Sequence, residues 1–133
     1  MTADDLMALA EASGGAGCRR CAALASKGWE SVPGGFDRSN LECTGTLRDP
    51  SEEEPTVAEF HPAGTHGWSS NAPIALGWFP YNRCDVWQCA GCAKPFLRYT
   101  EFGGYYTDER VRDLQADLVH RPASDPPIGT APA

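Results

Sequence analysis

The sequence predicts a single α+β domain: a small antiparallel sheet, a short N-terminal helix and a C-terminal amphipathic helix. Three observations lead there. A chain of 133 residues can bury one modest core but is a tight fit for two. Its 14 Gly and 11 Pro are more than a helical bundle tolerates, so short strands joined by turns are expected. Helical periodicity is confined to the two ends, while the middle carries short apolar runs bounded by Gly and Pro.

In chain order, Thr2 followed by Asp5 has the form of a capping box, and Leu6, Leu9 and Ala10 supply an apolar stripe at helical spacing. Gly14-Gly15 ends that helix, and it leads straight into Cys18-Arg19-Arg20-Cys21. A loop around Pro33-Gly34-Gly35 precedes a strand expected at Leu41–Leu47. The run Asp49-Pro50-Ser51-Glu52-Glu53-Glu54-Pro55, with four acids and two prolines, reads as a solvated loop.

Thr56–His61 is strand-like, with an irregular loop from His61 to Pro73, and Ile74–Phe79, set between two prolines, has the pattern of a buried strand. Val86-Trp87-Gln88 forms a strand entering Cys89-Ala90-Gly91-Cys92. Phe96–Phe102 then alternates apolar with polar residues, and Gly103-Gly104 turns it into a hairpin toward Tyr105-Tyr106. From Glu109 to His120, Val111, Leu114 and Leu118 share one helical face and Arg110, Asp113 and Asp117 lie off it, with Thr107 or Asp108 as cap. The domain is expected to span residues 1–121. The Pro-rich tail, 122–133, has too little to bury and is expected to be disordered.

Charge narrows the function classes. Eleven basic against 18 acidic residues give a formal charge of −7. Nucleic-acid binding rests on clustered Lys and Arg, so a nucleic-acid partner is disfavoured; Arg19, Arg20 and Arg98 are the main charges that would support one. An acidic surface suits a basic protein partner. The first residues lack the basic region and apolar run of a secretory signal, and no stretch reaches the roughly 18 apolar residues of a membrane span. A cytoplasmic location without membrane attachment is therefore expected. In a reducing compartment six cysteines point to metal ligands or buried thiols rather than disulfides.

The cysteines carry the strongest chemical signal. Two thiolates separated by two residues can reach one ion from a single tight turn, and two such turns complete a tetrahedron. Cys18/Cys21 and Cys89/Cys92 therefore form a candidate four-thiolate site for one structural Zn²⁺. The segment Trp87-Gln88-Cys89-Ala90-Gly91-Cys92-Ala93-Lys94-Pro95-Phe96 resembles the knuckles of the zinc-ribbon and rubredoxin-like class, over about a dozen residues plus the first pair. The resemblance implies a zinc-ribbon-like knuckle hairpin and a metal, and no activity.

The chain departs from that pattern twice. Ala22 and Ala93 stand where Gly often follows the second cysteine, and 67 residues separate Cys21 from Cys89 where compact sites use about 15–20. The gap is affordable, because each doubling of a loop adds roughly 0.6 kcal/mol against about 10–16 kcal/mol of apparent zinc binding. The intervening strands would be an insertion packed on the ribbon.

Other readings use the same residues. A redox dithiol at Cys89/Cys92 would fit the nearby Trp87, but Pro95 and a strand follow where a helix is needed. Iron is a lesser alternative: Cys84-x4-Cys89-x2-Cys92 copies the first three ligands of plant-type ferredoxins, yet no cysteine lies beyond Cys92. His61 or His66 could replace one thiolate. Cys43 and Cys84 read as small buried hydrophobes.

A closed four-thiolate site leaves no position for water, so the cysteines argue for a staple rather than a catalyst. No His-Glu-x-x-His, phosphate-binding glycine loop or Gly-x-Ser-x-Gly is present. Two other regions could carry function. His61, His66, Trp68, Trp78, Tyr81, Arg83 and Asp85 could line a ligand pocket with a second metal, or simply wrap the core. Arg98, Tyr99, Glu101, Tyr105 and Tyr106 could present an aromatic patch to a partner, or pair across the hairpin. The resulting expectation is a non-catalytic zinc-binding protein acting through a protein partner, for example as an acidic inhibitor of the immunity type. An enzyme or small-ligand binder using the His61–Asp85 loop is the alternative.

Overall fold

The Gly103-Gly104 hairpin anticipated from sequence is the centre of the architecture. The computed structural model describes residues 1–13, 16–24 and 26–120. In chain order these form α1 (Ala3–Ser13), β1 (Glu30–Ser31), β2 (Leu41–Thr46), β3 (Ile74–Ala75), β4 (Asp85–Cys89), β5 (Pro95–Phe102), β6 (Thr107–Asp113) and β7 (Val119–His120). Single 3-10 turns lie at Ala22–Leu24, Arg38–Asn40, Tyr81–Arg83 and Ala116–Leu118. Five strands make an antiparallel sheet in the order β1-β6-β5-β4-β2, and β3 and β7 form a separate parallel pair. The fold is α+β, with one α-helix among the described residues. Among the described residues no helix is long and apolar enough to cross a membrane.

Because side chains alternate across a strand, the sheet has two covered faces. On one, Phe96 and Val111 join Cys21, Leu24, Leu41 and Cys89. On the other, Val86, Leu97 and Tyr99 join Leu6, Ala10, Trp29, Ile74, Tyr81, Cys84 and Leu114. The metal-ligand candidates thus sit on one side of the sheet, with α1 and much of the 74–84 segment on the other.

The start of α1 follows its sequence signature. Thr2 N–H donates to Asp5 Oδ2 at 2.8 Å and Asp5 N–H to Thr2 Oγ1 at 3.2 Å, a reciprocal capping box. The hydrogen bond from the Thr2 backbone, followed by that from its side chain, lowers the pKa of the Asp5 carboxyl. Leu6 and Ala10 are the buried face. The Gly14-Gly15 stop lies outside the described residues, as does the tail expected to be disordered.

Three elements differ from expectation. The C-terminal amphipathic helix, Glu109 to His120, does not form: Thr107–Asp113 is β6, paired residue for residue with β5 from Phe102↔Thr107 to Phe96↔Asp113, and a 3-10 turn and β7 follow. Val111 and Leu114, which share a helical face in projection, enter different core clusters. The pairing prevails because cross-strand contacts satisfy the charged residues that looked like a solvated helix face. Arg98 pairs with Glu109, Lys94 Nζ lies 3.2 Å from Asp113 Oδ2, and Arg110 Nη1 donates to Tyr99 Oη at 3.1 Å.

The second difference is Thr56–His61, which is irregular; its main chain is held instead by Asn82, whose Nδ2 donates to Thr56 O at 2.8 Å. In the third, the Ile74–Phe79 run pairs only over Ile74–Ala75, since Gly77 (φ +87°) turns the chain into the Tyr81–Arg83 turn.

Candidate metal centre

Each pair of cysteines is placed by a tight turn whose reason is local. In the first, Cys21 N–H donates to Cys18 O at 3.2 Å, and the chain continues into the Ala22–Leu24 turn through Leu24 N–H to Cys21 O at 2.9 Å. In the second, Cys89 ends β4 and Pro95 begins β5. Cys89 N–H donates to Lys94 O at 2.9 Å and Ala93 N–H to Cys89 O at 2.8 Å, so the turn is a continuation of the β4–β5 ladder. Closing it puts Ala93 at φ +65°, a left-handed conformation that glycine adopts more readily.

The four sulfurs meet between these turns. The Sγ atoms of Cys18, Cys21, Cys89 and Cys92 all lie within 4.8 Å of one another, at 3.5 Å for Cys18–Cys89 and 3.7 Å for Cys21–Cys92. A tetrahedron with zinc–sulfur bonds of about 2.3 Å has edges of about 3.8 Å, so the donor set fits a Zn²⁺ ion. Backbone N–H groups of Cys18 and Gly91 point at Cys21 Sγ and Cys89 Sγ, each at 3.3 Å, the hydrogen bonds that stabilise thiolate ligands.

The two turns also lock onto each other. A Cβ on Gly91 would sit 2.9 Å from Arg20 Cδ and 3.1 Å from Cys18 Sγ, so any larger residue would have to displace the Arg20 side chain and crowd the Cys18 sulfur. Arg20 Nε reaches Asn40 Oδ1 at 3.0 Å, and Asn40 O accepts from Ala90 N–H at 2.8 Å, tying both turns to the start of β2.

The electrostatics separates the thiols. Burial pushes Cys21 up to about 12 and also raises Cys92. At Cys89 burial acts in the same direction, but N–H groups of Cys92 and Gly91 and the neighbouring thiols outweigh it and bring the pKa down to about 7. Lys94, nearly buried, lies across Gly17 from Cys21 and supplies positive charge to a region that four thiolates would make negative. Arg20, read from sequence only as a charge that would support a nucleic-acid partner, sits inside the first Cys-x-x-Cys turn, and Lys94 follows Cys92 by two residues with no signature of its own; Asn40 is brought to the cysteines only by the fold.

The other two cysteines stay apart. Cys84 is buried in the cluster on the opposite face, as expected of a small hydrophobe, with Sγ 3.2 Å from Pro80 O. Cys43, expected to be buried in a strand, lies in β2 but is exposed. β2 is an edge strand there, with a bulge between Cys43 and Gly45.

The residues of the suggested ligand pocket are dispersed. His61 is held locally, Nδ1 to Thr65 Oγ1 at 2.7 Å and Nε2 to Glu59 Oε1 at 2.9 Å, and His66 Nδ1 accepts from Trp68 N–H at 3.3 Å. Trp68 lies under Arg110, whose guanidinium is 4.5 Å from the ring centroid. Trp78 is buried against Phe60, and Tyr81 is buried with its hydroxyl 2.7 Å from Arg112 Nη1. Arg83 and Asp85 alone of the seven line a groove, of about 1190 Å³, between β5 and the loop after β2. On the hairpin, Tyr99 is buried in the core while Tyr105 and Tyr106 are exposed at the tip.

Comparison with protein-family models, with curated proteins and with solved structures finds no match.

Proposed function

We propose that the protein is a non-catalytic zinc-binding protein, in which one structural Zn²⁺ is held by Cys18, Cys21, Cys89 and Cys92 in a zinc-ribbon-like staple. The observation that carries this reading is the convergence of four sulfurs within 4.8 Å from two turns separated by 67 residues. Buried thiols crowded together without an ion gain little from one another, whereas a shared Zn²⁺ turns the same geometry into about 10–16 kcal/mol of apparent binding. All four tetrahedral positions are taken by sulfur, which leaves no open position for a reacting group. Iron would accept the same thiolates and is the lesser alternative.

Beyond the staple, the protein acts through a protein partner. The formal charge of −7 supports a basic one, and an inhibitor of the immunity type would have this character. Elemental analysis of the native protein tests the metal: one zinc per chain, unchanged in His61→Ala and His66→Ala, is expected. Two metals, iron, or a loss on either histidine substitution would contradict it. Affinity capture at low salt tests the partner, and finding no specific basic protein would count against that part alone.

A further inference from the structure

Part of β5 has a neighbouring strand on one side only. β4 begins at Asp85, opposite Arg98, whereas β5 runs on to Phe102, so Tyr99–Phe102 pair with β6 on one side and have no strand on the other. The hydrogen-bond phase shows which groups face the gap. Cys89 N–H bonds to Lys94 O at 2.9 Å in the β4–β5 ladder, and Gly103 N–H to Tyr106 O at 2.8 Å in the β5–β6 ladder. Since alternate residues of an antiparallel strand bond to alternate neighbours, Phe96, Arg98, Thr100 and Phe102 direct their main-chain groups toward the β4 side. For Thr100 and Phe102 nothing is there to receive them: no hydrogen bond among the described residues reaches their main-chain N–H or C=O. A row of this kind is a template for another strand.

We propose that an extended, basic segment of a partner protein docks in the groove beside Thr100–Phe102 as an added strand, continuing the line of β4. The proposal rests on the reading of a basic protein partner and says where that partner binds. Alternate side chains of an added strand point to opposite sides of the sheet, and both sides offer apolar contact. Phe102, 76% exposed, projects on the side of the cysteines. The Phe79–Tyr99 pair, with centroids 6.1 Å apart, lies on the other. Val57, 75% exposed, stands on the loop that forms the far wall.

Charge selects the occupant. Five carboxylates line the groove against three guanidiniums. Of those three, Arg48 is paired with Asp85 at 2.9 Å and Arg98 with Glu109, while Arg83 is turned onto Pro55 O at 3.1 Å and over the Phe79 ring. Glu52 and Glu54 remain at the rim, while Glu101 on the strand itself lies 3.9 Å from Arg110; the two rim carboxylates set a field that attracts Lys and Arg and repels an acidic segment.

The test uses the full metal-loaded chain and two labelled synthetic peptides, one alternating lysine with valine and one alternating glutamate with valine, followed by fluorescence anisotropy at low salt. The lysine peptide is expected to bind saturably, at least about tenfold tighter than the glutamate peptide, and to slow hydrogen exchange at the Thr100 and Phe102 amides. Thr100→Pro removes an N–H that faces the groove and leaves the β6 ladder intact, so it should abolish binding. The exposed-loop pair Glu52→Lys with Glu54→Lys, chosen because it does not touch the fold, should weaken binding about tenfold.

Equal binding of both peptides, no saturable binding of the lysine peptide by folded protein, or binding indifferent to the charge reversal with Thr100 and Phe102 unprotected would each overturn the proposal. If the charge-reversed chain still captures the same basic protein as the native chain, the groove is the wrong surface while the partner reading stands.

Discussion

At the scale of single residues, the second knuckle is built under a small strain at Ala93, whose φ of +65° is needed to bring Cys92 back toward Cys89. A non-glycine residue there gives up about 1–2 kcal/mol, part of which glycine would return through its more flexible unfolded chain. Ala93→Gly is therefore expected to stabilise the protein by about 0.5 kcal/mol in chemical denaturation. A loss of stability would mean that the turn is closed differently.

The thiols make a second prediction at this scale. Burial holds Cys21 at about 12 and keeps Cys92 raised, so both carry protons in the metal-free protein at neutral pH, and an ion can bind only by displacing them. Zinc uptake should release at least those protons and should strengthen as pH rises. Calorimetry in buffers of different ionisation enthalpy reads the release, and uptake without proton release would contradict the thiolate assignment.

At the scale of elements, β6 holds the fold's least expected residue. Arg112 is 0% exposed, and its Nη1 donates to Tyr81 Oη at 2.7 Å and Ala72 O at 3.3 Å, fixing the loop before β3 onto the sheet. Arg112→Ala should lower stability by about 2–4 kcal/mol, from the cavity and the stranded Tyr81 hydroxyl together. A change below about 0.5 kcal/mol in denaturant unfolding would show the contact to be incidental.

The same strand explains what sequence could and could not tell. α1, β2, β4 and β5 follow local signals: a capping box, alternation, and paired glycines at a turn. β6 does not, because Val111, Leu114 and Leu118 mimic a helical stripe, and its charged residues find partners in Tyr99, Arg98 and Tyr81 only once the sheet exists. Ile74–Phe79 fails for the opposite reason, since its apolar content was legible but the turn at Gly77 was not. The four cysteines were legible from spacing alone, whereas Arg20 and Lys94, though beside them in sequence, carry no motif that marks their part in the site, and Asn40 comes from a distant segment.

At the scale of the whole molecule, the proposed staple would close a 67-residue excursion that crosses both faces of the sheet. Cys21 and Cys89 belong to the core cluster on one face, so losing an ion held there would expose that cluster's edge as well as the thiols. Cys89→Ser, or chelation of the native protein, should therefore unfold or aggregate the chain, because the metal-binding free energy of about 10–16 kcal/mol exceeds the net stability of most domains. Circular dichroism would report it, and a variant that stays folded with an unchanged melting temperature would contradict the zinc staple.

The most direct test of the four-sulfur centre is the absorption spectrum of the protein loaded with cobalt(II) in place of zinc. Four thiolates in a tetrahedron predict strong visible d–d bands with sulfur-to-cobalt charge transfer at higher energy, both collapsing in Cys21→Ser. The weak spectrum of six-coordinate cobalt, or strong bands that survive that substitution, would contradict it.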